Sequence, residues 1–449
     1  MRNPFHPADW PERLPARYWL ANARVAPSLL DMPGAGLDGA ELALRVDDGV
    51  ISAIEPLARD DAQVFDLRGA TVFSAFVDPH THLDKGDLLA VGARPERDLF
   101  AAIDAVRADY AHWTRHELEA RIGFALRTAY AHGTRSLNSY CDWSVPEGPL
   151  SWLILQEQRA RWRGRIELRL TSLAAIDVLT DAAAAQSLGR AVAEAGGVLG
   201  FFVYPAADVA ALLPRAFDLA ERCDLRLDFH VDEHVTPPVA NLPLLARLTR
   251  ERNWGTRTVC GHACALSVLP AAELDAALDA IAASGLALVS LPYTNLHLQD
   301  SSPHLSLSTP PNTPLRTPRL RGIAPLHEAR ARGIPVALGS DNHRDGFFPG
   351  GDLDALQTLA LAALAAQLDD PAVRWIDTIT RSAAGALGLA WDGVLRVGAP
   401  ADLVLHPGRS SAEVLSRATC GRQVIRAGQR LAAADAELPD LRELDGLRA

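Results

Sequence analysis

The middle of the chain alternates short apolar runs with longer stretches rich in alanine and leucine. That rhythm predicts βα units around a parallel sheet. The predicted strands are TVFSAFVD (71–78), TRSLNSY (134–140), IELRLTSLA (166–174), GVLGFFVYP (197–205), LRLDFHV (225–231), TRTVCGH (256–262), LALVSLP (286–292) and IPVALGS (334–340). Eight strands with helices between them predict an α/β fold, a (β/α)8 TIM barrel. Stretches such as AAELDAALDAIAAS (271–284) read as helices packed on the barrel wall.

The two ends have a different texture. Between residues 17 and 73, RYWLANARV, LALRVDDGVISAIEP and AQVFDLRGATV alternate apolar and polar positions around turns such as Asp47-Asp48-Gly49. The same texture returns in ADLVLHPG (401–408) and RQVIRAGQRL (422–431). A small β-sandwich domain formed by both chain ends is therefore expected, from residues 1–73 and 396–449, around a barrel over 74–395. One connection is irregular: residues 300–322 are rich in Pro, Ser and Thr and leave the C-terminal end of the seventh strand. A stretch of that length and position predicts a lid or pocket wall.

Composition narrows the partners. The 449 residues suit a large barrel plus a smaller companion, and the formal charge of −11 repels nucleic-acid phosphates and anionic lipid. Neither is expected as a partner, although a local basic pocket is compatible with that balance. The five cysteines (141, 223, 260, 264 and 420) lack a framework spacing, which predicts buried thiols in a reducing compartment. The N-terminal residues lack the continuous apolar core of a signal peptide, and no apolar run approaches the roughly 18–20 residues of a membrane span. A soluble, cytoplasmic protein is expected, with self-association left open. Lys85 is the only lysine among 44 basic residues, and an ammonium differs from a guanidinium in shape and titration.

The candidate chemistry sits at the predicted strand ends. His80 and His82 follow the first strand as His-Thr-His, and alternate strand residues share a face, so both imidazoles can reach one ion. His230 ends strand five, His262 ends strand six and Asp341 follows strand eight. Three imidazoles and a carboxylate suit one divalent Zn²⁺ or Fe²⁺ ion, whereas Mg²⁺ and Ca²⁺ prefer all-oxygen shells. Such an ion lowers the pKa of its water from about 15.7 toward about 7. Asp341 can both ligate and accept the water proton. His262 is placed to polarise the water, with direct ligation left open. Glu233, three residues past His230, reads as a proton shuttle.

The runs Phe76-Val77-Asp78-Pro79-His80-Thr81-His82, Asp228-Phe229-His230-Val231-Asp232-Glu233, Gly261-His262, Asn295-Leu296-His297-Leu298-Gln299 and Gly339-Ser340-Asp341 resemble the amidohydrolase superfamily, above all its cytosine deaminase group. The resemblance spans nearly the whole chain. It implies that His80, His82, His230 and Asp341 bind one Fe²⁺ or Zn²⁺, that Glu233 shuttles the proton and that His262 polarises the water.

Substrate is where the chain departs from that group. The position of its pyrimidine-reading glutamine holds Leu173-Ala174-Ala175, and the second acid after the strand-eight aspartate is Asn342. Changed polar contacts imply a changed substrate, so cytosine is not the expected one. The run Ser340-Asp341-Asn342-His343-Arg344-Asp345 and His82-Leu83-Asp84-Lys85 also resemble N-isopropylammelide amidohydrolases. The expected activity is hydrolytic deamination of an amino-substituted nitrogen heterocycle, a small-molecule substrate. The alternative is release of an alkylamine from a triazine-type ring. Substrate contacts are expected from Lys85, Asn342, Phe347 and Gln299, and less directly from Tyr140 and Asp142. The Lys85 ammonium could instead pair with Asp84 or Asp87.

Two rival readings fit the residues less well. A binuclear cyclic amidase needs a lysine on strand four, and GVLGFFVYP has none. A non-catalytic scaffold would be expected to lose ligands, and none is missing.

Overall fold

Eight parallel strands run in chain order around a barrel: β6 (Phe76–Thr81), β7 (Thr134–Asp142), β8 (Glu167–Ala175), β9 (Leu199–Val203), β10 (Leu227–Val231), β11 (Thr258–His262), β12 (Ala287–Ser290) and β13 (Val336–Leu338). The computed structural model describes residues 5, 10–31, 41–143, 148–204, 208–236, 241–300 and 317–448. The expected lid over 300–322 lies largely outside these residues.

β9, β10 and β11 are apolar-rich and almost wholly buried, as strands covered on both faces must be. Phe201 of β9 stacks on Phe229 of β10 at 6.1 Å between centroids, with Phe217 of an outer helix behind it. The ring closes between its first and last strands, where Thr81 bridges Asp341 and the Asp341 amide donates to the His80 carbonyl at 2.7 Å.

Close packing between β8 and β9 requires a glycine. A Cβ on Gly200 would meet the Ser172 carbonyl oxygen at 2.0 Å, and a backbone oxygen has no rotamer by which to withdraw. Gly200→Ala is expected to cost at least about 3 kcal/mol of stability. Chemical denaturation reads this directly, and an unchanged midpoint would refute the assignment of β9 to this tight contact.

The remaining strands, β1 (Arg17–Val25), β2 (Glu41–Asp47), β3 (Val50–Glu55), β4 (Gln63–Asp66), β5 (Thr71–Ser74), β14 (Leu403–His406), β15 (Gln423–Arg426) and β16 (Gln429–Arg430), form a second eight-stranded sheet from both chain ends. It branches at β1, whose first half pairs with β4 and whose last two residues pair with β5. A bulge between Leu20 and Ala23, with Asn22 at φ 54°, bends the strand at the branch.

Two expected boundaries shift. The run TVFSAFVD is two strands, not one: β5 pairs with β14 in the small sheet, and β6 enters the barrel after Ala75. The C-terminal part of the small sheet ends at Arg430. The tail beyond it returns to the barrel helices α1 (Leu99–Asp109) and α2 (Arg115–Ala131), where Arg448 pairs with Asp109 and Glu117 at 2.7 Å each.

All five cysteines are free. Cys141, Cys260 and Cys264 are buried as expected, but Cys223 is half-buried and Cys420 is exposed. Among the described residues, no helix is long and apolar enough to cross a membrane.

Candidate active site

The C-terminal ends of the barrel strands bring the four expected ligands together. The Nε2 atoms of His80 and His230 lie 3.1 Å apart, and those of His230 and His82 lie 3.4 Å apart. Asp341 Oδ1 is 3.1 Å from His82 Nε2 and 3.5 Å from His80 Nε2. All four side chains are buried. Burial drives the three imidazoles well below their usual pKa, so they are neutral, as ligands must be.

The donor set fits a cation. Among the described residues neither Asp341 oxygen accepts a hydrogen bond, although both are buried. An unpaired buried carboxylate beside three converging imidazole nitrogens is costly without a positive charge among them. His80, His82 and His230 form one group able to hold an ion, and His80, His262 and Asp341 form another.

The local backbone builds this cluster. Small residues make room for it: a Cβ on Gly339 would come within 2.8 Å of His80 Cβ. Asp78 accepts the amides of His80 at 3.3 Å and Ser340 at 3.1 Å, tying β6 to the segment after β13. His262 at φ 71° and Asp341 at φ 62° occupy the left-handed region, which costs energy for residues with a Cβ.

Glu233 and His262 meet beside the quartet, with Glu233 Oε1 3.3 Å from His262 Nδ1. Burial, reinforced by the Asp341 charge, pushes the Glu233 carboxyl well above its usual range. Burial also lowers His262 to about 4. The Asn295 amide lies 3.0 Å from His262 Nδ1, and His262 Nε2 is buried with no hydrogen-bond partner among the described residues. Sequence reasoning quoted Asn295 without giving it this contact. Only the folded chain shows that the helix Pro292–Leu298 turns it toward β11.

A cavity opens over the cluster, lined by His82, His230, Glu233, His262 and Asp341 at its base. Three of the four expected substrate contacts, Lys85, Asn342 and Phe347, lie in its wall. Gln299 does not; it sits behind Glu233 and donates to the Glu233 carbonyl at 3.3 Å. The Lys85 ammonium pairs with Asp142 at 2.7 Å rather than with Asp84 or Asp87, and lies 4.9 Å from the Phe347 ring centroid. Tyr140 also lies outside the wall and packs on His80 with centroids 4.1 Å apart.

The loop that presents Lys85 is held from below. Arg121 of α2 is fully buried, pairs with Glu117 at 3.1 Å and donates to the carbonyls of Asp84 at 2.9 Å and Gly86 at 2.6 Å.

One cavity wall escaped the sequence reading. Leu99, Ile103, Arg107 and Tyr110 line it from α1 and the turn after it, joined by Trp143 and Phe202. Their spacing of three or four residues is a single helix face, a signal that reads equally well as packing.

The model of the amidohydrolase family matches residues 173–432. The chain is 36% identical to the pterin deaminase of Rhizobium rhizogenes (strain K84) over 435 residues, covering 96% of each. It is 27% identical to the N-isopropylammelide isopropyl amidohydrolase of Pseudomonas sp. (strain ADP), covering 78% of this chain and 83% of that one. A 5-methylcytosine deaminase from Klebsiella pneumoniae shares the fold with a TM-score of 0.76 at 23% identity, covering 92% and 97% of the two chains.

Proposed function

Because this chain belongs to the amidohydrolase family, hydrolases of carbon–nitrogen bonds, we propose that it is a metal-dependent deaminase of a pterin-type ring. The observation that carries the reading is Glu233 beside His262, with both facing one cavity over the His80, His82, His230 and Asp341 cluster. The similarity to a pterin deaminase over nearly the full length supports the ring class.

His80, His82, His230 and Asp341 would hold one Zn²⁺ or Fe²⁺. When bound, that cation acidifies water and polarises it for attack on carbon. Ionised Glu233 takes one of the two protons that the water gives up, and Asp341 takes the other. Glu233 delivers that proton to the ring nitrogen next to the amine-bearing carbon, and burial, which raises its carboxyl, favours this transfer. The His262 Nε2–H holds the oxygen that adds to the ring. A carbon–oxygen bond forms, the carbon–nitrogen bond breaks, and ammonia leaves with one of water's two protons while the ring nitrogen keeps the other.

Substrate orientation falls to the cavity wall. Phe347 and Trp143 offer flat faces to a conjugated ring. Lys85 and Asn342 offer donors to its carbonyl edge, and Asp142 offers an acceptor to its N–H edge. Leu173 and Ala175, in place of a pyrimidine-reading amide, leave that part of the wall apolar.

The test is ammonia release from pterin, cytosine and N-isopropylammelide, with isopropylamine followed for the last. Pterin is expected to exceed cytosine in kcat/KM by at least about 100-fold, because an unmatched polar edge is rejected strongly. Preferential release of isopropylamine would transfer the assignment to alkylamine removal. Preferential turnover of cytosine would overturn the ring class.

A further inference from the structure

The opposite end of the barrel carries a second polar cavity, of about 730 Å³, where β7 and β8 begin against the ends of β14 and β15. That volume lies within the roughly 300–1,000 Å³ range of small-molecule sites. Arg135, Arg159, Arg163, Arg165, Arg169 and Arg426 line it, against only Glu167 and Asp402. A formal excess of four positive charges therefore gathers in one concavity of a chain whose total is −11.

Some arginines elsewhere are neutralised locally, although others, such as Arg190, Arg226 and Arg430, have no ion pair among the described residues. Arg252 pairs with Asp218 and Glu221, and Arg332 with Asp275 and Asp279. Within the cavity, Arg135 pairs with Asp402 at 2.7 Å, Arg169 with Glu167 at 3.4 Å and Arg165 with Asp435 at 2.5 Å. Among the described residues, Arg159, Arg163 and Arg426 have no ion pair.

The second observation concerns donors. Arg426 spends Nη2 on the Thr134 carbonyl at 2.5 Å, while its Nε and Nη1 are buried and have no hydrogen-bond partner among the described residues. Arg135 Nη1 is likewise buried and unpartnered. Buried guanidinium donors without acceptors are costly, and an oxyanion satisfies several at once through its planar or tetrahedral oxygens.

From this geometry we infer that the seam between barrel and small sheet is a binding site for a small polyanion bearing phosphate or carboxylate groups. The cavity opens to solvent along Arg163 and Arg165, and the surrounding chain is acidic, so long polyanions are disfavoured while a compact one is held between the arginines. It lies at the N-terminal ends of the strands, away from the cavity at their C-terminal ends. A ligand there would bridge β7 and β8 of the barrel to β14 and β15 of the small sheet.

Calorimetric titration of the metal-loaded full chain tests this, with pyrophosphate, inorganic phosphate and citrate as probes at constant ionic strength set by chloride. Saturable one-to-one binding of pyrophosphate or citrate is expected, tighter than that of inorganic phosphate. Preference for pyrophosphate assigns phosphate chemistry to the site, and preference for citrate assigns carboxylate chemistry. Arg163 is exposed and unpaired, so Arg163→Glu should fold normally and weaken binding by about tenfold or more, the size of one charge-assisted contact. Arg426→Gln is a second variant, with circular dichroism to verify its fold. Deaminase kcat of Arg163→Glu should match that of the unaltered chain. The inference is overturned if none of the three anions binds saturably, or if Arg163→Glu binds them all as tightly as the unaltered chain.

Discussion

Glu233→Gln is expected to lower kcat by about 10³-fold, the middle of the range for general acid–base catalysis. Glutamine keeps the shape of the side chain but cannot carry a proton between water and a ring nitrogen. The metal content should stay the same, since Glu233 is outside the cluster of His80, His82, His230 and Asp341. KM should change little, because the substitution removes a proton transfer made in the transition state rather than a ground-state contact. The pH profile adds a sharper reading. Burial raises the Glu233 carboxyl, so it ionises only at a pH above the ordinary glutamate range. If ionised Glu233 must receive the water proton, kcat/KM rises with pH through that raised value, and this acid limb should vanish in the glutamine variant. Full turnover by Glu233→Gln would remove Glu233 from the chemistry.

Removing the metal is expected to lower activity by at least about 10⁴-fold, because unassisted water is acidified some eight pKa units less than ion-bound water. Chelation followed by dialysis makes the metal-free chain. Zn²⁺ and Fe²⁺, added back separately, identify which ion restores turnover. Asp341→Asn should prevent full restoration, since it removes the one carboxylate of the proposed ligand quartet. Unimpaired turnover by a preparation analytically free of metal would end the assignment. Loss of the ion should also lower the thermal midpoint, because a ligand held by the folded chain alone stabilises it by mass action, by about 4 kcal/mol at a thousand times Kd.

The quartet was legible because barrel geometry turns sequence position into spatial position. A residue just after a β-strand of a (β/α)8 barrel must lie at one rim, so His80, His82, His230, His262 and Asp341 could be grouped without knowing any distance. The cavity wall was not legible in that way. Leu99, Ile103, Arg107 and Tyr110 belong to a helical turn pattern that packing produces just as often. Lys85 finds Asp142 across 57 residues, a pairing set by the register of β6 with β7 rather than by local sequence. Gln299 was placed by its position in a motif, but its depth behind Glu233 depends on how the helix Pro292–Leu298 ends. The seam at Ala75 was hidden because the apolar stretch from Val72 to Val77 is broken only by Ser74, with no Gly, Pro, Asn or Asp to mark the change of sheet.

The closure of the barrel at His80 and Asp341 has a consequence for folding. These two residues are 261 positions apart, yet their backbones are joined by one hydrogen bond and their side chains lie 3.5 Å apart in the proposed cation cluster. A bound ion thus acts as a clip across the whole βα array. Loop-closure entropy grows only logarithmically with length, so a cross-link of this span removes about 5 kcal/mol of freedom from the unfolded chain. On the proposed function, the ion that prepares water for attack would also fasten the first stave of the barrel to the last.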